Sequence, residues 1–184
     1  MKFIKNFFEK TEPLVQKGAK YHWLNSVHDG FFTFLYVPKK TSKSGTHIHD
    51  HIDLKRTMSV VVLALVPALL FGMYNTGFQH FSAIGEIGTT GFFEVFFYGL
   101  LKVLPIVIVS YVVGLGIEFV FAQFRGHEIN EGFLVSGMLI PLVMPIETPL
   151  WMIAIATAFA VIIGKEVFGG TGMNIWNPAL VARA

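Results

Sequence analysis

No cysteine occurs in the 184 residues, which removes disulfides, cysteine-ligated iron–sulfur clusters and c-type haem from the chemistry this chain can carry. A redox centre on it has to be another cofactor, and flavin stays open. Charge is scarce as well. Only 14% of residues are charged and 53% are hydrophobic, where a soluble domain carries roughly 25% charged residues. That is membrane-protein composition. The net charge of +2 excludes little, but basic residues thin out along the chain. Lys2, Lys5, Lys10, Lys17, Lys20, Lys39, Lys40, Lys43, Lys55 and Arg56 precede the first long apolar run, and only Lys102, Arg125, Lys165 and Arg183 follow it. The early lysines are mixed with Glu9, Glu12, Asp29 and large aromatics, which argues against a nucleic-acid surface. Lys5, Glu9 and Lys10 also interrupt any signal-peptide core, so the N-terminus is expected to stay on the mature protein.

Apolar runs then set the architecture. Residues 57–74 have about the length of a transmembrane helix, kinked at Pro67. Residues 75–91 hold no Lys or Arg and read as an external loop by the positive-inside rule. The run 95–121 is longer than a bilayer needs, so it tilts or extends beyond it, with Lys102 snorkelling outward and Arg125 emerging on the opposite side. Residues 133–144, followed by Pro145 and Pro149, make roughly 18 Å of helix against a hydrocarbon core near 30 Å. This reads as a half-helix or re-entrant segment, of the kind that lines cavities and marks binding sites in transporters. Residues 151–163 bring the chain back to Lys165, and 178–184 read as the start of a further helix, so truncation is expected. The predicted fold is all-α: a polytopic helical membrane protein with one half-length helix, truncated after about four membrane segments. Residues 1–56 form a cytoplasmic, partly interfacial N-terminal segment and 57–184 the transmembrane helical domain.

Few polar features interrupt this pattern. Residues 165–180, KEVFGGTGMNIWNPAL, are the most distinctive. Gly169, Gly170 and Gly172 allow positive φ and close approach, while Asn174 and Asn177 each offer an amide donor and acceptor. The turn lacks both the Gly-Lys-Ser/Thr ending of a P-loop and GxGxxG spacing, and it follows an apolar helix instead of a strand. It also holds no internal cation, so it suits a neutral, planar, hydrogen-bonding ligand. Asn174 and Asn177, three apart, share a face if the segment is helical, with Pro178 in a first turn. The plainer alternative is a helix-to-helix connection whose asparagines cap helix ends. Residues 47–53, HIHDHID, hold three histidines and two aspartates. Their spacing is not the HxHxDH of metallo-hydrolases, and no metal site is assigned. Residues 28–38 are too short to span a bilayer; they suit the interface or a small packed strand or helix equally. Glu118 stands inside an apolar run, where a carboxylate usually faces a cavity, an ion or a partner. Its alternative is an interfacial position paired with Arg125 two turns on.

The glycine turn resembles the FGGTGxNxxNPAL segment of the B subunits of the Na+-translocating NADH:quinone oxidoreductases. Residues 53–58 (DLKRTM), 71–75 (FGMYN) and 127–133 (HEINEGF) resemble those same proteins in the same order. The D subunits of the Rnf electron-transport complexes share the turn without DLKR and HEINEG and rank second. The resemblance implies a flavin-carrying subunit that passes electrons to quinone while sodium crosses the bacterial inner membrane, with the N-terminus cytoplasmic. It implies non-covalent riboflavin at Gly169, Gly170, Gly172, Asn174 and Asn177, and a sodium and quinone region at Gly114 and Glu118. There the family's second glycine is Leu115 in this chain. It also implies NADH-oxidising, iron–sulfur and second flavin subunits as partners. The family's covalent FMN sits on the threonine of an S-G-A-T motif absent from these residues, so FMN is expected on a missing C-terminal part. No catalytic residue is assigned. A passive transporter or channel for a small polar solute is the alternative function, since half-helices and paired asparagines serve it too and the family resembles urea-transporter architecture. An assembly subunit without its own chemistry is the third.

Overall fold

The computed structural model describes residues 54–86, 88–125 and 132–184, with a few isolated positions before residue 54. Most of the aromatic segment 28–38, the histidine-rich stretch 47–53 and residues 127–131 lie outside the described residues. Every regular element among the described residues is helical: α1 (Leu54–Ile84), α2 (Phe92–Arg125), α3 (Gly132–Val143), α4 (Leu150–Ile162), a 3-10 turn (Glu166–Phe168) and α5 (Pro178–Arg183). Among the described residues three stretches, Arg56–Ile84, Phe92–Arg125 and Leu150–Phe168, are long and apolar enough to cross a membrane. The fold is that of an all-α polytopic membrane protein.

α1 runs beyond Tyr74 to Ile84, so the loop expected over 75–91 is confined to 85–91. Contacts with α2 explain the extension. A Cβ on Gly77 would overlap the carbonyl of Val95, and one on Gly99 would overlap the carbonyl of Met73. Glycine at both positions lets the two backbones touch, as small residues do at helix crossings in membranes. One turn further on, His80 stacks on Tyr98 with ring centroids 4.1 Å apart. The 31 residues of α1 make a rod of about 46 Å, longer than the roughly 30 Å hydrocarbon core.

α2 buries Val95, Gly99, Val103, Ile106, Ser110, Gly114, Glu118 and Ala122, a single stripe at intervals of three and four. Phe93, Phe97, Leu101, Val112 and Phe124 point outward, an apolar surface suited to lipid. Against the stripe lies α3, the half-length helix expected from the prolines. Pro141 has no N–H for the carbonyl of Gly137, and Ser110 Oγ donates to that carbonyl at 3.1 Å. Tyr111 donates its hydroxyl to Leu134 O at 2.7 Å. After a turn over 144–149 the chain returns as α4. Phe133, Ile140, Ala160, Val161, Ala179 and Ala182 then close a core between α3, α4 and α5.

Candidate functional site: a cleft beside a buried ion pair

The start of α1, the end of α2, the start of α3 and the turn after α4 meet at one end of the molecule. Two ion pairs fasten them. The Lys165 ammonium donates to Glu118 Oε1, with both side chains only 5% exposed. Arg125 holds Glu166 twice, through Oε2 at 2.9 Å and the main-chain carbonyl at 2.6 Å. Glu118 is therefore a buried acid joined to Lys165, while Arg125, the partner considered from sequence, takes the next residue along.

Beyond Glu166 the chain reverses through three residues of positive φ, Gly169 at 115°, Gly170 at 95° and Gly172 at 90°. Only glycine takes such angles at little cost, so this part of the sequence expectation holds. Asn174 and Asn177 do not share a helical turn. Asn174 lies in irregular chain, where its Oδ1 accepts from Gly172 N at 3.3 Å and its Nδ2 donates to Trp176 O at 2.8 Å. Its amide fits the turn together from within, which is why no helix forms there. Asn177 is the N-cap of α5: its Oδ1 accepts from Ala179 N at 2.9 Å, directly before Pro178. The capping role is real for Asn177, and it leaves that side chain's NH2 for another acceptor.

Both asparagines line a cleft of about 310 Å³, together with Met58, Gly132, Ser136, Lys165, Thr171 and Trp176 among others. The size falls at the lower end of small-molecule sites. Gly169, Gly170 and Gly172 shape the turn without lining the cleft. Thr171 Oγ1 is buried there with no hydrogen-bond partner among the described residues, packed where Gly132 leaves room for it. Phe168 meets Trp176 edge to face at 5.5 Å. Gly114 lies elsewhere: a Cβ on it would overlap the ring of Phe133, which is fully buried, so this glycine seats an aromatic ring one turn from Glu118. A larger apolar groove of about 800 Å³ runs between α4 and α5, but its lining includes no charged side chain and only one amide, that of Asn177. Convergent polar groups favour the smaller cleft.

Lys165, Thr171 and Gly132 are cleft residues that the motif alone does not assign. Lys165 left a signal. A buried Glu118 requires a cation, and few basic residues follow the first span.

The sequence profile of the NQR2, RnfD, RnfE family matches residues 41–184. The chain belongs to that family. All five described helices, the glycine turn and both ion pairs fall inside the region matched to NQR2, RnfD and RnfE. Among curated relatives, the B subunit of the Na(+)-translocating NADH-quinone reductase of Pseudoalteromonas atlantica is 41% identical over 203 residues, covering 98% of this chain and 50% of the relative. The corresponding B subunits of Chromohalobacter salexigens, 41% identical, and Stutzerimonas stutzeri, 40% identical, each cover 98% of this chain and 49% and 50% of their own length. The chain thus spans about half the length of the curated relatives it matches.

Proposed function

We propose that this chain works as a membrane-embedded, flavin-carrying subunit of a sodium-pumping NADH:quinone oxidoreductase in the bacterial inner membrane, with its N-terminus cytoplasmic. NADH-oxidising, iron–sulfur and second flavin subunits are its partners, and electrons leave to quinone as sodium crosses. Gly114 and Glu118 belong to the sodium and quinone region, Gly114 by seating Phe133 and Glu118 by its carboxylate. The observation that carries the proposal is the cleft. Two amide side chains, an unpartnered buried hydroxyl on Thr171 and an indole wall converge there in a chain whose relatives bear the name of that reductase.

These residues fit riboflavin. When bound, its tricyclic ring supplies one- and two-electron chemistry. The NH2 of Asn177 and the hydroxyl of Thr171 meet a polar ring edge, Trp176 covers an apolar face, and Gly169, Gly170 and Gly172 fold the turn so that Asn174 and Asn177 face one cleft. No free phosphate-binding cation is needed, because riboflavin carries no phosphate.

The test is non-covalent flavin released by denaturing the purified whole complex. Asn174→Leu and Asn177→Leu each deprive the ring's polar edge of a partner worth about 1–3 kcal/mol, weakening retention by roughly 5- to 150-fold. Asn177→Ser separates binding from capping, since serine caps a helix as well as asparagine but brings no NH2. Loss of flavin from an assembled Asn177→Ser complex is expected. Stoichiometric flavin and normal quinone reduction in all three variants would leave the asparagines as turn and cap residues only.

A further inference from the structure

The proposed flavin needs no charge from the protein, yet one charge lines its cleft. Among the described residues lining it, Lys165 is the only charged one, and its ammonium is spent on Glu118. With both side chains 5% exposed, neither group has enough water to stand alone, and removing one strands the other. A free cation that takes Glu118 Oε1 therefore does so in place of the ammonium. The ammonium in turn leaves only if other acceptors wait for it. They are present in the cleft: Thr171 Oγ1 is buried without a partner among the described residues, and Ser136 lines the same wall. Lysine suits such an exchange, being a compact charge with three donors on a flexible four-carbon stem.

Its neighbours show why the turn survives the exchange. Arg125 grips Glu166 by side chain and main chain together, so the segment stays docked on α2 when Lys165 lets go. We propose that Lys165 is a tethered competitor for the transported cation: it holds Glu118 until sodium displaces its ammonium into the cleft, toward Thr171 Oγ1 and Ser136. This rests on the proposed uptake of sodium at Glu118. No covalent bond or electron moves in the step. One cation replaces another on a carboxylate, and the cleft wall gains a positive charge.

The test measures equilibrium binding of radioactive sodium, alongside the sodium dependence of quinone reduction, in the purified whole complex. Lys165→Met removes the competitor and is expected to tighten sodium binding about tenfold, a modest effect for one charge beside a buried partner. Lys165→Arg keeps the charge but offers a two-pronged guanidinium, which holds the carboxylate more firmly, so sodium binds more weakly than in the wild type. Glu118→Gln weakens sodium binding, and Lys165→Met adds nothing on top of it. Co-purification of the partner subunits reports assembly in each case. If Lys165→Met does not assemble, the charge-preserving Lys165→Arg decides alone. Wild-type sodium binding in the Lys165 variants beside a weakened Glu118→Gln overturns the competitor and spares the sodium reading. Wild-type binding in Glu118→Gln overturns both.

Discussion

Gly99 and Gly116 sit on the same helix and make different demands. At Gly99 a methyl group would press on the main-chain carbonyl of Met73, whereas at Gly116 it meets nothing within 4 Å. Gly99→Ala must part α1 from α2 and is expected to cost about 1–3 kcal/mol. Gly116→Ala is expected to be neutral or slightly stabilising, because alanine is the better helix former. Thermal unfolding midpoints of the purified complex measure both, and equal shifts would contradict the close crossing. Residues differ in the same way in how openly they declare themselves. The three glycines of the turn announce positive φ by their type and spacing. The pairing of Lys165 with Glu118 is not written in any local pattern, because its partners are 47 residues apart and only the packing of α4 on α2 brings them together.

α3 shows how an element can depend on a side chain from another. The carbonyl of Gly137 loses its usual donor at Pro141 and accepts from buried Ser110 instead. Ser110→Ala leaves that carbonyl unmatched and is expected to destabilise by about 1 kcal/mol, the scale of interhelical hydrogen bonds in membranes. In a Pro141→Ala background the restored N–H takes over, so the same Ser110→Ala change is expected to cost close to nothing. A double-mutant cycle on unfolding midpoints reads the difference, and additive effects would deny the substitution of donors. The half-helix itself was legible in the sequence, since Pro145 and Pro149 follow an apolar run too short to cross. The far end of α1 was not. Asn75, Gln79 and His80 dilute the apolar pattern there, and helix persists because Gly77 and His80 find partners on α2.

For the molecule as a whole, the distribution of basic residues predicts the sides. Arg125 and Lys165 gather at the end where α1 starts, where eight basic residues precede Leu54 and Lys55 and Arg56 open the helix, so by the positive-inside rule we expect that end to face the cytoplasm and the turn 85–91 to face outward. Cysteine placed at Ser82, exposed in the last turn of α1, is expected to react with an impermeant thiol reagent added outside intact cells, while cysteine at Ser42 stays silent. Labelling at position 42 alone would invert the orientation. That expectation rests on the sequence, because charge placement acts over whole loops and tolerates errors in helix ends. The two ion pairs add a mechanical consequence. Adjacent Lys165 and Glu166, of opposite sign, engage Glu118 and Arg125, which follow in the reverse order of sign seven residues apart on α2. Sliding α2 along the turn by those two helical turns, about 10 Å, sets acid against acid or base against base. A key cut this way fits its lock at one depth only, so α2 cannot ratchet past the turn.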